Sequence, residues 1–150
     1  MQSLNLPNYT PKISHIKGKP FIYDIIRRKK VALTPEEWVR QHFVNYLIVE
    51  KKYPKERIAN EVSISLNGMS RRCDTVVYNQ FLEPVMIVEY KAPSVPITQD
   101  VFEQITRYNI CLRAGILIVT NGLVHYCCLI DYEAATCSYL KEVPEYDSLL

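Results

Sequence analysis

The spacing of apolar residues changes several times along the chain, and each change marks a predicted element. Strict alternation from Ile58 to Leu66 indicates a half-exposed strand. Helical spacing predicts two helices, one from Thr34 to about Lys51 and one over about residues 99–113. Shorter apolar runs predict further strands at residues 71–78, 85–88, 115–120, 123–130 and 135–140, and residues 21–26 have an extended pattern without clear bounds.

Local signals indicate how these elements are joined. Residues 34–37 (TPEE) are typical of a helix start, with a threonine cap, proline in the first helical position and a glutamate that completes a capping box. The turn signal Asn67–Gly68 and the short connector 79–83 predict an antiparallel meander of three strands. The second helix favours parallel pairing of the strands before and after it. We therefore predict an α/β sandwich with a central mixed β-sheet flanked by helices.

Composition is compatible with one globular domain over residues 1–150. The chain is 48% hydrophobic and 23% charged, which excludes a disordered segment. We predict an irregular N-terminal arm at residues 1–19 that packs over the domain, and a frayed acidic tail at residues 141–150. Five cysteines without C-x-x-C spacing indicate reduced buried thiols rather than a zinc site or a disulfide framework. Neither a membrane span nor a signal pattern is present, so we expect a cytoplasmic protein.

Charge is distributed unevenly, although the net charge is only +2. Residues 1–75 contain 14 Lys and Arg against 7 Asp and Glu, whereas residues 76–150 contain 4 against 9. A basic half suits contact with a phosphate backbone, but charge runs are more often solvated faces. The asymmetry becomes informative only beside candidate chemistry.

That chemistry lies at the end of the strand 85–88. Glu89 and Lys91 are two residues apart, so they point to the same face of a strand, and the predicted hairpin brings Asp74 toward them. Two carboxylates supply hard oxygen ligands for Mg²⁺, and a lysine polarises water or a phosphate oxygen. The alternative is structural: Glu89 and Lys91 pair at a solvated strand end while Asp74 caps a turn.

The order of these residues resembles a known signature. Asp74…Glu89-Tyr90-Lys91 is similar to the PD-(D/E)XK nuclease motif, with Cys73 in place of the proline. More narrowly, the chain resembles the N-terminal nuclease domain of type I restriction enzyme R subunits. Five pieces carry the resemblance in order: residues 33–41 (LTPEEWVRQ), 72–74 (RCD), 88–93 (VEYKAP), 104–108 (QITRY) and 120–122 (TNG).

The resemblance implies a restriction-endonuclease-like fold and a set of roles. Asp74, Glu89 and the backbone carbonyl of Tyr90 are expected to hold Mg²⁺, for which Mn²⁺ can substitute. Lys91 is expected to orient water and to stabilise charge on the scissile phosphate.

Further site residues are predicted from both helices. Gln104 matches the family's Q-x-x-x-Y motif and is expected to hold water, phosphate or Lys91; the alternative is a solvated glutamine beside a packed tyrosine. Glu36 is the candidate acid of the first helix, because the helical wheel places it near the apolar stripe while Glu37 points away; the alternative is that both only complement the helix dipole. Predicted DNA contacts are Tyr108, Arg71, Arg72 and Arg40; the alternative for Tyr108 is that it anchors Gln104.

The implied function is a Mg²⁺-dependent DNA endonuclease of the restriction or defence type. The alternative is a weakly active or inactive nuclease-fold module that binds DNA or partner restriction subunits. The sequence contains no G-x-x-x-x-G-K-[ST] phosphate loop. Three alternatives follow: the chain works alone, it is a fragment, or helicase motor and specificity subunits are supplied in trans. A homodimer is left open, and no base-reading motif indicates sequence specificity.

Overall fold

The computed structural model describes residues 1–66, 68–109 and 112–149, and the side chains of Leu66, Met69 and Tyr108 lie outside the description. Its strands are β1 (Ile13–Ile16), β2 (Lys19–Asp24), β3 (Lys29–Ala32), β4 (Ile58–Leu66), β5 (Met69–Tyr78), β6 (Pro84–Tyr90), β7 (Ile116–Thr120), β8 (His125–Asp131) and β9 (Thr136–Leu140). Within the same ranges, the helices are α1 (Pro35–Val49) and α2 (Gln99–Asn109), and 3-10 turns span Lys55–Arg57 and Tyr146–Leu149. The predicted turn at Asn67 lies outside the described residues.

Strands β4 to β9 form one six-stranded sheet in sequence order. Strands β6 and β7 are parallel, and the other neighbouring pairs are antiparallel. Helix α2 lies in the connection between the two parallel strands, as such a pairing requires. The predicted mixed sheet is therefore confirmed. Strands β1, β2 and β3 form a second, three-stranded antiparallel sheet, of which the apolar pattern indicated only an extended segment.

The start of α1 follows the predicted signal only in part. The Glu37 N–H donates to Thr34 Oγ1 at 3.1 Å, and Pro35 occupies the first turn. The side chain of Glu37 does not complete the capping box; it accepts hydrogen bonds from Arg27 and Gln41. The Glu37 side chain therefore contacts Arg27, outside the helix, instead of completing the cap.

The two helices cover opposite faces of the large sheet. Helix α1 packs Val39, Phe43 and Leu47 against the face that includes Tyr90 of β6. Helix α2 packs residues including Phe102 against the other face. Because side chains alternate along a strand, the residues on either side of Tyr90 project toward α2. This alternation decides on which side of the sheet the candidate site lies.

Both ends of the chain are more ordered than the sequence predicts. Strand β1 begins at Ile13, so the irregular arm is shorter than residues 1–19. The arm does pack over the domain, because Trp38 Nε1 donates to the Gln2 carbonyl at 2.8 Å. The frayed tail is wrong: Tyr146 is buried, and its hydroxyl donates to the Tyr78 carbonyl at 2.8 Å.

The cysteines also depart from expectation. Cys128 and Cys137 form a disulfide between β8 and β9, whereas Cys73 and Cys127 are buried and lie outside this disulfide. The prediction of reduced thiols is therefore wrong for the first pair, since sequence spacing does not reveal which residues meet across two strands. Among the described helices, none is long and apolar enough to cross a membrane.

Candidate active site

The register of β5 and β6 brings the predicted acidic residues together. Thr75 pairs with Val88, so Asp74 and Glu89 follow at adjacent positions of the two strands. The Tyr90 N–H donates to Asp74 Oδ2 at 2.9 Å, which fixes the Asp74 carboxylate against the end of β6. The Lys91 N–H donates to the Thr120 carbonyl at 2.9 Å, so β7 holds the residue that follows β6.

A cavity of about 380 Å³ opens at this point between the sheet and α2. Strand β5 contributes Arg71 and Asp74, and α2 contributes Val101, Gln104 and Ile105. The full lining is Arg71, Asp74, Glu89, Tyr90, Lys91, Val101, Gln104 and Ile105. The lining therefore combines two acidic residues with two basic residues and a glutamine around one small volume.

The carboxylates of Asp74 and Glu89 are strongly coupled. Burial, followed by repulsion from Asp74 and a hydrogen bond with it, raises the pKa of Glu89 to about 8. The Asn109 amide, which donates to Glu89 Oε1 at 3.4 Å, and the charge of Arg71 act in the opposite direction. Glu89 consequently keeps its proton at neutral pH when no cation is present. Such a pair gains stability from any ligand that carries positive charge.

Asn109 adds an unusual group beside Glu89. The residue is only 2% exposed, and among the described residues its Oδ1 has no hydrogen-bond partner. A buried acceptor without a partner costs free energy, typically about 1–3 kcal/mol. Such groups concentrate at functional sites, where a ligand or an ordered water supplies the missing donor.

The strand next to β5 is distorted at the same level. The ladder of β4 and β5 runs from Ile58 opposite Val77 to the far end, but Glu61 and Asp74 are not paired in it. Glu61 has φ 57°, in the left-handed region that a glutamate rarely occupies. Strained backbone of this kind persists only where surrounding contacts hold it.

Arg40 of α1 supplies those contacts from the opposite face of the sheet. Its Nη1 donates to the Asp74 carbonyl at 3.0 Å, and its Nη2 donates to Glu61 Oε1 at 2.6 Å. Its Nε lies 3.1 Å from Glu37 Oε2, and its guanidinium lies 5.7 Å from the centre of the Tyr90 ring. Only 7% of Arg40 is exposed, so the guanidinium is used internally.

These contacts belong to a closed circuit of polar side chains. From Tyr90 the circuit passes through Thr75 and Asn60 to Asp24 of β2. From Asp24 it returns through Arg27, Glu37 and Arg40 to Asp74, which bonds to the Tyr90 N–H. The circuit joins β2, α1, β4, β5 and β6 around the backbone of the two residues that frame the cavity.

The comparison with protein-family models gives a match over residues 35–144 to the type I restriction enzyme R protein N terminus (HSDR_N). The chain belongs to this family. The matched segment begins with α1 and contains every residue that lines the cavity. No curated protein matches the chain.

A solved structure supports the same fold. The chain is similar to a fragment assigned as an HsdR subunit of a type I restriction enzyme from Vibrio vulnificus YJ016, with a TM-score of 0.56 and 20% sequence identity. The match covers 78% of this chain and 24% of the other, so the chain spans about a quarter of the length of that relative. At this identity the likeness concerns the fold.

In this HSDR_N domain, the structure gathers most of the predicted site residues. Asp74, Glu89, Lys91 and Gln104 line the cavity together with Arg71 and Tyr90. Arg72 lies outside the lining, is 68% exposed in its side chain and pairs with Glu61. The Tyr108 side chain lies outside the described residues.

Two predicted placements are not supported. Glu36 is exposed, and no described residue of α1 lines the cavity. The helical-wheel placement is reversed, because Glu37 is the buried acid and contacts Arg27 and Gln41. A metal role for Glu36 stays a prediction that this geometry does not favour, and burial removes Arg40 from the DNA contacts that we can support.

Asn109 and Glu61 were missed by sequence reasoning. The apolar spacing of α2 allows either residue 108 or residue 109 as the buried position, so the sequence alone does not single out Asn109. Glu61 sits on the polar side of an alternating strand, where a glutamate is unremarkable. Its position at the level of Asp74 and its bond to Arg40 become visible only in the structure.

Proposed function

We propose that this domain is a Mg²⁺-dependent DNA endonuclease that hydrolyses phosphodiester bonds, as part of a restriction or defence system. The observation that carries the proposal is the presence of Asp74, Glu89 and Lys91 in one cavity. Paired carboxylates beside a lysine are suited to a divalent cation and to an anionic group that accumulates charge during reaction.

The donor set fits Mg²⁺ in its chemistry. Oxygen ligands are available from Asp74, Glu89 and the Tyr90 carbonyl, and hard cations prefer oxygen. Within residues 1–66, 68–109 and 112–149 no cluster of three or more His, Cys, Asp and Glu side chains could hold a metal ion. The two carboxylates would therefore be supplemented by the backbone carbonyl and by water or substrate oxygens. The raised pKa of Glu89 has the sign expected for a carboxylate pair awaiting a cation. Once bound, Mg²⁺ supplies Lewis acidity toward a phosphate oxygen.

The side chains of the protein provide position and charge. In this proposal the Lys91 ammonium contacts a phosphate oxygen and stabilises the negative charge that develops there. Gln104 projects from α2 into the same cavity, where its amide can hold water or a phosphate oxygen. Arg71 adds a second cation to the lining.

Arg40 acts as a positioning residue in this proposal. It bonds to the Asp74 carbonyl and to Glu61 of β4, which lies at the level of Asp74 without being paired with it. Because Tyr90 and Asp74 bond to each other, a shift in either backbone would move two proposed ligands at once. Groups that orient ligands in this way typically contribute about 10–100-fold to metal affinity or activity.

The proposed partners are DNA and, in trans, motor and specificity subunits of a restriction system. The second candidate function is a module that binds DNA or these subunits and cuts weakly. It is favoured by the length relation, since the HsdR fragment from Vibrio vulnificus is about four times as long as the matched region.

The experiment is DNA cleavage by the purified chain. Supercoiled plasmid and single-stranded DNA are incubated with Mg²⁺, with Mn²⁺ or with EDTA. We expect metal-dependent cutting that is lost in Lys91→Ala and Asp74→Ala and retained in Lys52→Ala, an exposed lysine outside the cavity. Cutting that survives both site substitutions would refute the assignment. Salt-sensitive DNA binding without cutting would favour the module.

A further inference from the structure

The three-stranded sheet β1–β3 presents an uncovered face. On β2, Ile22 and Asp24 are fully buried, so the alternate residues Lys19, Phe21 and Tyr23 point to the other side. Paired residues of an antiparallel ladder share a face, which places Lys30 of β3 beside Tyr23. We call this side, with Lys12, Lys19, Phe21, Tyr23 and Lys30, the outer face.

Cations dominate the outer face. Lys12, Lys19 and Lys30 are exposed, and the Lys12 ammonium lies 5.8 Å from the centre of the Tyr23 ring. Within the described part of the chain, none of the three forms an ion pair. Three further exposed cations surround the face at its turns and edge: Lys17, Arg28 and Lys29.

Negative charge is missing from the exposed surface of this sheet. Between residues 12 and 32 the sequence has one acidic residue, Asp24. Asp24 has 0% exposure, and Arg27 and Asn60 engage its carboxylate. The repulsion among the exposed cations is therefore not offset on the sheet itself, and an external anion would relieve it.

The distance between Lys12 and Lys30 suits phosphates on the two sides of a DNA groove. Tyr23 bonds through its N–H to the Lys12 carbonyl and is paired with Lys30, so the two lysines flank it from neighbouring strands. Strands lie about 4.8 Å apart, which separates Lys12 from Lys30 by about 10 Å. The major groove of DNA is about 12 Å wide, so both ammonium groups can reach phosphates that border one groove.

Polar contacts also link the sheet to the candidate site. Asp24 of β2 and Arg27 after it belong to the polar circuit that ends at Asp74 and Tyr90. A DNA backbone bound to this sheet would therefore lie on an element that contacts the cavity residues through a chain of polar side chains.

From this geometry we propose that the outer face of the β1–β3 sheet binds the phosphate backbone of DNA. The inference rests on the proposed function, because it names the surface that holds the substrate of the candidate site. Phe21 and Tyr23 are only partly exposed, so contact is made to phosphates through Lys12, Lys19 and Lys30 rather than by stacking on bases. This surface is distinct from Arg71, which lines the cavity, and from Arg72, which lies next to it on β5.

The test is a binding measurement that does not depend on catalysis. Fluorescence anisotropy of a labelled DNA duplex, and of one of its single strands, is followed in EDTA between about 50 and 200 mM salt. The variant carries Lys12→Gln, Lys19→Gln and Lys30→Gln in the full chain. The control carries Lys52→Gln, Lys55→Gln and Lys141→Gln, which removes equal charge from exposed positions off the sheet. Thermal unfolding verifies that both variants fold.

We expect the variant to bind the duplex at least tenfold more weakly and to lose about 2–3 from the slope of log K against log salt, since each phosphate contact contributes about 0.9. The control should keep the slope of the native chain. A loss confined to the duplex supports contact across a groove, and a loss with both probes supports contact along one strand.

Other outcomes would overturn the inference. Equal losses in the variant and the control would show only a net-charge effect. Unchanged binding in the variant would remove the outer face from DNA recognition, even if the chain cleaves DNA. Binding to phosphatidylserine vesicles without binding to DNA would identify a different anionic partner. Conversely, variant-specific loss in a chain that never cleaves DNA would retain the surface and reject the nuclease.

Discussion

Glu89 offers the sharpest test, because the proposed function predicts that its replacement stabilises the protein. In the native chain Glu89 is held against Asp74, and its pKa is raised from 4.5 to about 8. The unfolded chain releases this proton near pH 4.5, whereas the folded chain retains it. The unfolded state therefore binds fewer protons between these values, and stability falls as pH rises from 4.5 to 8.

Glu89→Gln removes that penalty. A glutamine can donate its amide to Asp74 without taking up a proton and can still accept from Asn109. One pKa unit corresponds to about 1.4 kcal/mol, so the upper bound on the gain at pH 7 is about 3 kcal/mol. Glu89 keeps partial contact with solvent, which screens the repulsion, and we expect about 1–2 kcal/mol.

The assay is urea unfolding of both proteins at several pH values in EDTA, repeated with Mg²⁺. The free energy of unfolding should be nearly equal near pH 5, and the advantage of Glu89→Gln should grow toward pH 8. Mg²⁺ should stabilise the native chain and have little effect on the variant, because a ligand that binds only the folded state raises stability. The variant should not cleave DNA. A Glu89→Gln chain that is less stable than the native chain throughout this range would refute the reasoning.

Three further predictions concern two residues of the polar circuit, Arg40 and Asp24, and the neighbouring Asn109. Arg40→Gln should weaken Mn²⁺ binding about 10–100-fold in a direct metal titration, whereas Arg72→Gln, which also removes a partner of Glu61 but does not touch Asp74, should leave the affinity nearly unchanged. An equal loss of Mn²⁺ affinity in the two variants would show that only the ion pairing of Glu61 affects metal binding, and not the bond from Arg40 to Asp74. Asp24→Asn should lower stability by about 3 kcal/mol at pH 7, because it breaks a buried ion pair. Although burial opposes it, hydrogen bonding from Arg27 and Asn60 lowers the pKa of Asp24, so this loss should fade as acid protonates the native carboxylate, and a pH-independent difference would contradict it. Asn109→Leu should change the free energy of unfolding by less than about 1 kcal/mol, because it removes a buried acceptor that has no partner among the described residues. The same variant should cleave DNA more slowly than the native chain. Unchanged cleavage would show that Asn109 has no role in the site.

Much of the architecture was predictable because it depends on near neighbours in sequence. The start of α1 requires Thr34 to reach the N–H three residues later, and this bond is present. The strands of the large sheet follow from apolar runs, and the parallel pair follows from the intervening helix. Where a local rule was ambiguous, as at positions 108 and 109, the sequence could not choose between two side chains on adjacent positions of a helix.

The small sheet and the chain ends were predicted poorly for a related reason. The strands β1 and β3 are four residues long each and mostly exposed, so they carry little apolar periodicity. The tail is polar in composition, but Tyr146 is held by the Tyr78 carbonyl, 68 residues away in sequence. Such partners become neighbours only after the sheet has formed.

The sequence by itself determined both helices, the strands of the mixed sheet, the family resemblance and the candidate set Asp74, Glu89, Lys91 and Gln104, because each is recorded in local spacing or in motif order. Tertiary structure alone decided that Arg40 is buried, that Glu37 rather than Glu36 faces inward, and that β1–β3 form a basic face. The physical reason is that hydrogen bonds and desolvation act through space: the partners of Arg40 lie 21 and 34 residues away along the chain. The Arg40 guanidinium, which the sequence predicts to contact DNA, bonds instead to Asp74 and Glu61 in the folded protein.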